Sequence, residues 1–493
     1  MKIDLPSATH ADRFYIDGQW VTPTTDRRIE VLDSTSERCL LTVAEAVEAD
    51  IDRAVAAARE AFDHGPWPRL GHRERAAYLA AMGTEVLARS GEIADAWTGE
   101  VGILRSAAQL VTRSVGKTYQ HFADMAETYP FVTRHTPAAG AVGLLVREPV
   151  GVVAAIVPWN SPITMIAHKI APALLAGCTV IVKLSPEAPS AGLIMAEICA
   201  KLGLPRGVVN VVTADRTASE SLVRHPDVDK ITFTGSSAAG KAIAAICGAR
   251  IARCTLELGG KSAGVILDDY DLGAAARSIA STARIMTGQV CSSLTRVIVS
   301  EHRHDALVEA MAAEFAATRV GDPTEPDVEM GPLASARQRD RVEGYIAAGR
   351  AAGARLATGG GRPAHRDRGY FIEPTLFAGV ANDLVVAREE IFGPVVCVLP
   401  ARDERQAVEI ANDTPFGLNS SVFTHDVERA WSVARALHTG TVGHNSWRTD
   451  FGIAFGGFRQ SGLGREGAVA GLEPFLELKT VILDGEPAAA ATP

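Results

Sequence analysis

A chain of 493 residues exceeds what one hydrophobic core usually serves, so the sequence predicts two or three domains. Its 47% hydrophobic and 22% charged residues are those of an ordinary globular protein. A formal charge of −9 without a basic cluster argues against a nucleic-acid partner, although helix N-termini can hold an anionic cofactor without surplus lysine.

The opening MKIDLPSATHADR lacks the basic-then-apolar order of an export signal. The longest apolar run, Val150 to Pro158, falls short of the roughly 20 residues that cross a bilayer. A cytoplasmic protein with no membrane partner is expected. From about Asp50 to Gly116, segments such as DIDRAVAAAREAF and HRERAAYLAAMGTEVLA carry helical spacing. After Tyr129 the chain turns extended, ending in a buried strand at Pro158.

Strands and helices then alternate. A helix over Ile163 to Leu175 stops at Gly177, the strand TVIVK follows, and a helix after Pro189 ends near Gly203. VVNVV and DKITF are the next strands, and a helix starts at Ser237. Short β-rich runs between helices imply a parallel sheet covered on both faces, with ligands at the carboxyl ends of its strands. A second alternating region begins near Thr255 with TLELGG and SAGVIL and continues past VVCVL to about Gly440. FLELKTVIL is a last strand, and EPAAAATP is expected to fray.

Seven cysteines, no CxxC and no zinc spacing argue against a disulfide frame or a metal site. Cys178, Cys199, Cys247 and Cys397 sit in apolar runs that suit core residues. Cys291 follows TGQV and precedes SSLTR, a polar turn that suits either an exposed nucleophile or a free surface thiol. Glu257, in TLELGGKS, is either a solvent-facing strand residue or a buried carboxylate raised toward a general base. Asn160, in PWNSP, fits a helix cap or an oxyanion donor. Gly235 and Ser236 lie where strand ITFT meets a helix, a place for a pyrophosphate or a plain turn. Lys183 ends a strand, either solvated or reaching a ribose.

Together PWNSP, FTGSSAAGK, LELGGKS, GQVCSS, EEIFGPV and FGGFRQSGLGRE, in this order, resemble the aldehyde dehydrogenase superfamily along almost the whole chain. The resemblance implies an α/β fold with a Rossmann-like cofactor domain (1–126 and 150–256), a catalytic α/β domain (257–470) and a β oligomerisation element (127–149 and 471–493). It implies Cys291 as nucleophile, Asn160 as oxyanion donor, Glu257 as general base and Glu466 as a support for that base. The thiohemiacetal on Cys291 would yield hydride to NAD(P), and the thioester left would be hydrolysed.

On the cofactor the resemblance places Ile156, Trp159, Lys183, Gly235, Ser236, Gln338, Glu390 and Phe392. Many members have glutamate three residues after the lysine. Here KLSPEAP puts Pro186 there and Glu187 one later, an acidic neighbour that favours NAD while leaving NADP possible. The substrate tunnel implied runs past Ser161, Thr164, Met165, His168 and Val290. It continues by Ser292, Trp447, Thr449 and Phe455. With Arg448 the sole basic neighbour, a hydrophobic aliphatic, aromatic or terpenoid aldehyde is expected. The resemblance also implies a homodimer or homotetramer. A CoA-acylating enzyme would lack Glu257, a cofactor-free thiol esterase would not need the cofactor motifs, and a non-catalytic binding protein would not need Cys291, Glu257 and Asn160 together.

Overall fold

A computed structural model describes residues 9–487, so the last six residues of the predicted frayed tail lie outside the described residues. The helix-rich start forms as four helices, Glu48–Asp63, His72–Ala88, Ser90–Val101 and Arg105–Thr128. In the first, Ile51, Ala54, Val55, Ala58 and Ala61 recur three or four residues apart and form its buried face. The Asp50 carboxylate accepts from the Val47 amide ahead of that helix and closes its first turn.

Eight strands make the first sheet, in the spatial order Gly462–Leu463, Arg253–Glu257, Lys230–Thr234, Val152–Ile156, Thr179–Leu184, Val209–Thr213, Phe14–Ile16, Gln19–Val21. The five from Arg253–Glu257 to Val209–Thr213 are mutually parallel. Their runs, such as VVAAI, are buried throughout, as strands covered on both faces must be. In chain order they start at Val152–Ile156 and move to one side. The chain then crosses back to add Lys230–Thr234 on the other side. The reversal leaves a crevice between the turns that follow Ile156 and Thr234, where parallel sheets bind ligands.

A second sheet of seven strands centres on Ser262–Ile266, Leu294–Ser300 and Val395–Ala401. The run Thr255–Glu257, read from sequence with this second region, belongs instead to the first sheet. Gly462–Leu463 also returns to the first sheet, pairing beside Leu256 and Glu257. The five-residue strand RCTLE carries no mark of which sheet it joins, which is why the sequence misplaces it. Helix Arg216–Arg224 and strands Phe14–Ile16, Gln19–Val21, Arg28–Leu32 and Cys39–Ala44 are additions to the predicted elements. The third sheet orders Leu476–Leu483, Val142–Pro149 and Val132–His135, all antiparallel. FLELKTVIL thus returns to the hairpin of its own chain.

The second sheet is tied to its surroundings by Arg296, 1% exposed at the centre of its strand. Its guanidinium donates to the carbonyl oxygens of Lys261, Ile410 and Ala411 and to the Asn382 side chain, at 2.8–3.0 Å. Burial lowers its pKa to about 10, so it stays charged at neutral pH. Arg296→Met keeps much of the volume but takes the donor from four acceptors, two of them in buried bonds. It is expected to destabilise the protein by about 3 kcal/mol, seen as a lower denaturant midpoint.

Candidate active site

The residues singled out in the sequence converge on the gap between the two large sheets. Ile156, Lys183 and Glu257 stand at or next to the carboxyl ends of first-sheet strands. Cys291 and Phe392 stand three residues ahead of second-sheet strands Leu294–Ser300 and Val395–Ala401. Exits from one sheet therefore face entries to the other.

The cysteine turn is shaped by unusual backbone. Met286 and Thr287 adopt left-handed conformations, φ 48° and 55°, which a β-branched threonine rarely takes. The surroundings hold it there. The Thr287 hydroxyl lies 2.9 Å from the Gly331 carbonyl oxygen. The Gln289 side chain, fully buried, donates to the Met286 carbonyl at 2.9 Å and accepts from the Ala334 amide at 3.0 Å. The Asn160 side-chain amide donates to the Gln289 carbonyl at 2.9 Å, which ties PWNSP to GQVCSS. On the far side, Trp447 Nε1 donates to the Ser292 carbonyl at 3.0 Å. Gly260 passes so close that a Cβ there would sit 2.3 Å from the Cys291 carbonyl oxygen.

Cys291 is half-buried rather than openly exposed. Burial pushes its thiol up from the ordinary value, and the nearby Glu390 and Glu257 carboxylates add to the rise. Cys178, Cys199, Cys247 and Cys397 are buried in the core, as their apolar context predicts.

Glu257 is 2% exposed, and neither carboxylate oxygen has a hydrogen-bond partner among the described residues. Burial pushes its pKa well above the usual carboxylate value, and the charge of Glu466 raises it further. The solvent-facing alternative is thereby excluded. Gly456, at φ +144°, lets the chain pass here, since a Cβ on it would stand 2.6 Å from Glu257 Oε1. Glu466 is buried too and accepts from the Lys169 ammonium, itself fully buried. A carboxylate, a carboxylate–ammonium pair and a thiol thus share one water-poor space.

Glu390 accepts from the Gly260 amide at 3.1 Å, and burial pushes it up to about 7. Gln338 Nε2 donates to the Phe392 carbonyl at 2.6 Å, and the Phe392 and Trp159 rings meet edge to face at 5.4 Å. Phe392 is itself left-handed, φ 63°. Burial lowers Lys183 to about 8, while Glu187 and Asp215 act to raise it. Ser236 caps helix Ser237–Arg250, its hydroxyl accepting from the Ala239 amide at 3.3 Å. First-turn amides of such a helix have no acceptor within the helix and suit a pyrophosphate. Carboxylates for ribose hydroxyls, a lysine, an aromatic pair and a helix mouth fit a nicotinamide dinucleotide.

Of the predicted tunnel residues, His168 stacks on Phe451 at 4.0 Å, and Phe451 on Phe455 at 4.4 Å. Burial lowers His168 to about 3, so it is neutral. Thr164 Oγ1 is buried without a partner, and the Ser161 hydroxyl lies 3.8 Å from the Met286 sulfur. Met165 and Ser292 are buried, Val290 packs on the core, and Thr449 is half-buried beyond Trp447. Arg448 is exposed.

Lys169, Gln289 and Phe451 are absent from the sequence reading. A lone lysine in the apolar helix PITMIAHKIAPALLA is a signal that would have found the first. Neither Gln289 nor Phe451 carries such a signal. Among the described residues, no cluster of His, Cys, Asp and Glu could hold a metal, and no helix is long and apolar enough to cross a membrane.

Comparison with known proteins gives a consistent answer. Residues 20–481 match the model of the aldehyde dehydrogenase family. The chain is 41% identical over 472 residues to geranial dehydrogenase of Castellaniella defragrans, covering 96% of this chain and 98% of that protein. It is also 41% identical to 3-succinoylsemialdehyde-pyridine dehydrogenase of a Pseudomonas species, covering 95% and 98%. The crystal structure of a Mycobacterium tuberculosis aldehyde dehydrogenase with NAD+ superposes with a TM-score of 0.93 at 41% identity, covering 96% and 98%. A mutant aldehyde dehydrogenase C from Pseudomonas syringae, solved with NAD+ and octanal, gives 0.93 at 36% identity, covering 97% and 98%.

Proposed function

The chain belongs to the aldehyde dehydrogenase family and oxidises an aldehyde to its acid with NAD, and we propose that Cys291 is the nucleophile of that reaction. The observation that carries this reading is the buried, unpartnered Glu257 carboxylate beside the Cys291 turn, braced by Asn160.

Cys291 loses its proton to solvent, and its thiolate sulfur bonds to the aldehyde carbon as the carbonyl π pair moves onto the oxygen. The Asn160 amide has two N–H groups and spends one on Gln289, so the second is free for the oxyanion. With the Cys291 backbone N–H it forms a donor pair worth about 3 kcal/mol per donor. Bound NAD would supply the acceptor for the hydride of that carbon, and the tetrahedral adduct, on losing it, would become a thioester on Cys291. Glu257 then removes a proton from water as the oxygen attacks the thioester, and the carboxylic acid leaves as the sulfur is released. Glu466, held by Lys169, acts through Glu257 as a positioning residue: its charge adds to burial in raising the pKa of the base.

Lys183 and Glu187 would take the adenosine ribose, Gly235 and Ser236 the pyrophosphate, and Gln338 and Glu390 the nicotinamide ribose. Ile156, Trp159 and Phe392 would flank the path to the ring. On this reading 1–126 with 150–256 bind the cofactor, and 257–470 carry catalysis. Residues 127–149 with 471–493 join copies into a homodimer or homotetramer. Exposed Leu478 and Ile482 on one strand face give that sheet an apolar patch, which supports the assembly. Seven unpaired cysteines suit the reducing cytoplasm. Transfer of the acyl group to CoA and cofactor-free ester cleavage are not favoured.

A hydrophobic aldehyde is the substrate class we infer, because the rings of His168, Phe451 and Phe455 stack in series among the residues assigned to the tunnel, while Arg448 is exposed. The names of relatives that act on geranial, or were solved with octanal, support it. A panel followed as NADH formation should give kcat/KM for octanal, benzaldehyde or geranial at least about tenfold above succinic semialdehyde, the worth of a few buried methylenes. Preference for the semialdehyde would contradict the assignment.

A further inference from the structure

Glu187 and Arg337 face each other across the cleft. Glu187 lies in the turn after strand Thr179–Leu184, four residues beyond Lys183. Arg337 is the second residue of helix Ala336–Ala351, next to Gln338. The guanidinium donates to Glu187 Oε1, and the Ser185 hydroxyl donates to Oε2. Each carboxylate oxygen therefore already holds one donor before any ribose arrives.

The pair brings together two groups that dinucleotide sites normally keep apart. An acidic side chain accepts from the ribose 2′-hydroxyl of NAD, whereas an arginine accommodates the 2′-phosphate of NADP. Lys183 supplies a second cation at the same strand end, and the start of a 16-residue helix adds the positive end of its dipole behind Arg337. The Arg337 side chain is 76% exposed and Glu187 23%, so their ion pair is held loosely and the guanidinium can turn away at little cost.

We propose that Arg337 gives this site a second setting, in which its guanidinium leaves Glu187 and binds the 2′-phosphate of NADP. The inference rests on the reading above that Lys183 and Glu187 mark the adenosine ribose. In the first setting Arg337 stays on Glu187 Oε1, whose second lone pair accepts the 2′-hydroxyl of NAD, and there is no phosphate to bind. In the second, Arg337 and Lys183 flank the phosphate while Glu187 keeps only Ser185. Its uncompensated charge opposes the phosphate, so NADP binds, but less tightly than NAD. The enzyme is a dual-cofactor dehydrogenase whose preference is set by one ion pair.

Calorimetric titration of the full-length protein with NAD and NADP, without aldehyde, tests this. Arg337→Ala should raise the Kd for NADP about tenfold and change that for NAD by less than about threefold. Glu187→Gln should move the two oppositely, tightening NADP and weakening NAD. An Arg337→Ala protein with unchanged NADP affinity, or with both affinities weakened alike, would overturn the inference, as would a wild-type protein that binds NAD alone. Loss of NAD binding from the wild type would remove the cofactor-site reading as well.

Discussion

Cys291→Ala is expected to reduce aldehyde oxidation by about 10,000-fold or more, while the Kd for NAD stays within about threefold of wild type. The size of the loss follows from the role. Without the sulfur no covalent adduct forms, and the hydride has no tetrahedral carbon to leave. The Asn160 amide remains in place, but it has no oxyanion to bind. Cofactor contacts are unaffected, because Lys183, Ser236, Gln338 and Glu390 stand on other segments. The substitution also leaves the turn intact. Its shape depends on Thr287, Gln289 and the Ser292 carbonyl rather than on the thiol. Calorimetry with NAD and a rate assay on the same sample check both halves. Substantial residual oxidation would move the nucleophile elsewhere.

Glu257→Gln separates the two halves of the cycle. Acylation does not use the base, so one equivalent of NADH per site should appear rapidly. Steady turnover should then fall by about 100-fold or more, the usual contribution of a general base. Quenched-flow measurement of the burst checks this, and an unchanged steady rate would remove Glu257 from the role.

The same residue sets a pH dependence of definite sign. Burial and Glu466 raise its pKa, so it holds a proton to higher pH than an ordinary carboxylate and, while protonated, cannot accept one from water. Hydrolysis in the wild type should therefore accelerate as pH rises, until the carboxylate is ionised. Glutamine removes that limb. The raised thiol of Cys291 has the same direction, since the attacking form also grows with pH. Burst and steady-state rates against pH distinguish the two groups, because only the second responds to the base.

Much of this site is readable along the chain where a residue's own neighbours reveal it. The apolar runs VVAAI and TVIVK lead to buried parallel strands. The polar turn around Cys291 differs from the apolar settings of Cys178, Cys199, Cys247 and Cys397, and the structure separates them in the same way. Glu257 among apolar residues leaves a solvent-facing and a buried carboxylate open, and the structure buries it.

Other features depend on distant partners. Lys169 and Glu466 lie 297 positions apart, and Arg337 and Glu187 lie 150 apart. No local pattern joins either pair. The left-handed Met286 and Thr287 are equally hidden, because neither residue type favours that conformation, and packing from Gly331 and Ala334 imposes it. Strand Arg253–Glu257 illustrates the limit for topology. Its pattern identifies a strand, but only its neighbour Lys230–Thr234 shows which sheet receives it.

A single mass measurement reaches the chemistry itself. Glu257→Gln protein mixed with octanal and NAD, quenched in acid within the burst, should gain the mass of one octanoyl group per chain, and peptide mapping should locate it on Cys291. An unmodified chain after a full burst of NADH, or an acyl group on the exposed Cys39 or on Cys254 instead, would contradict a thioester at Cys291.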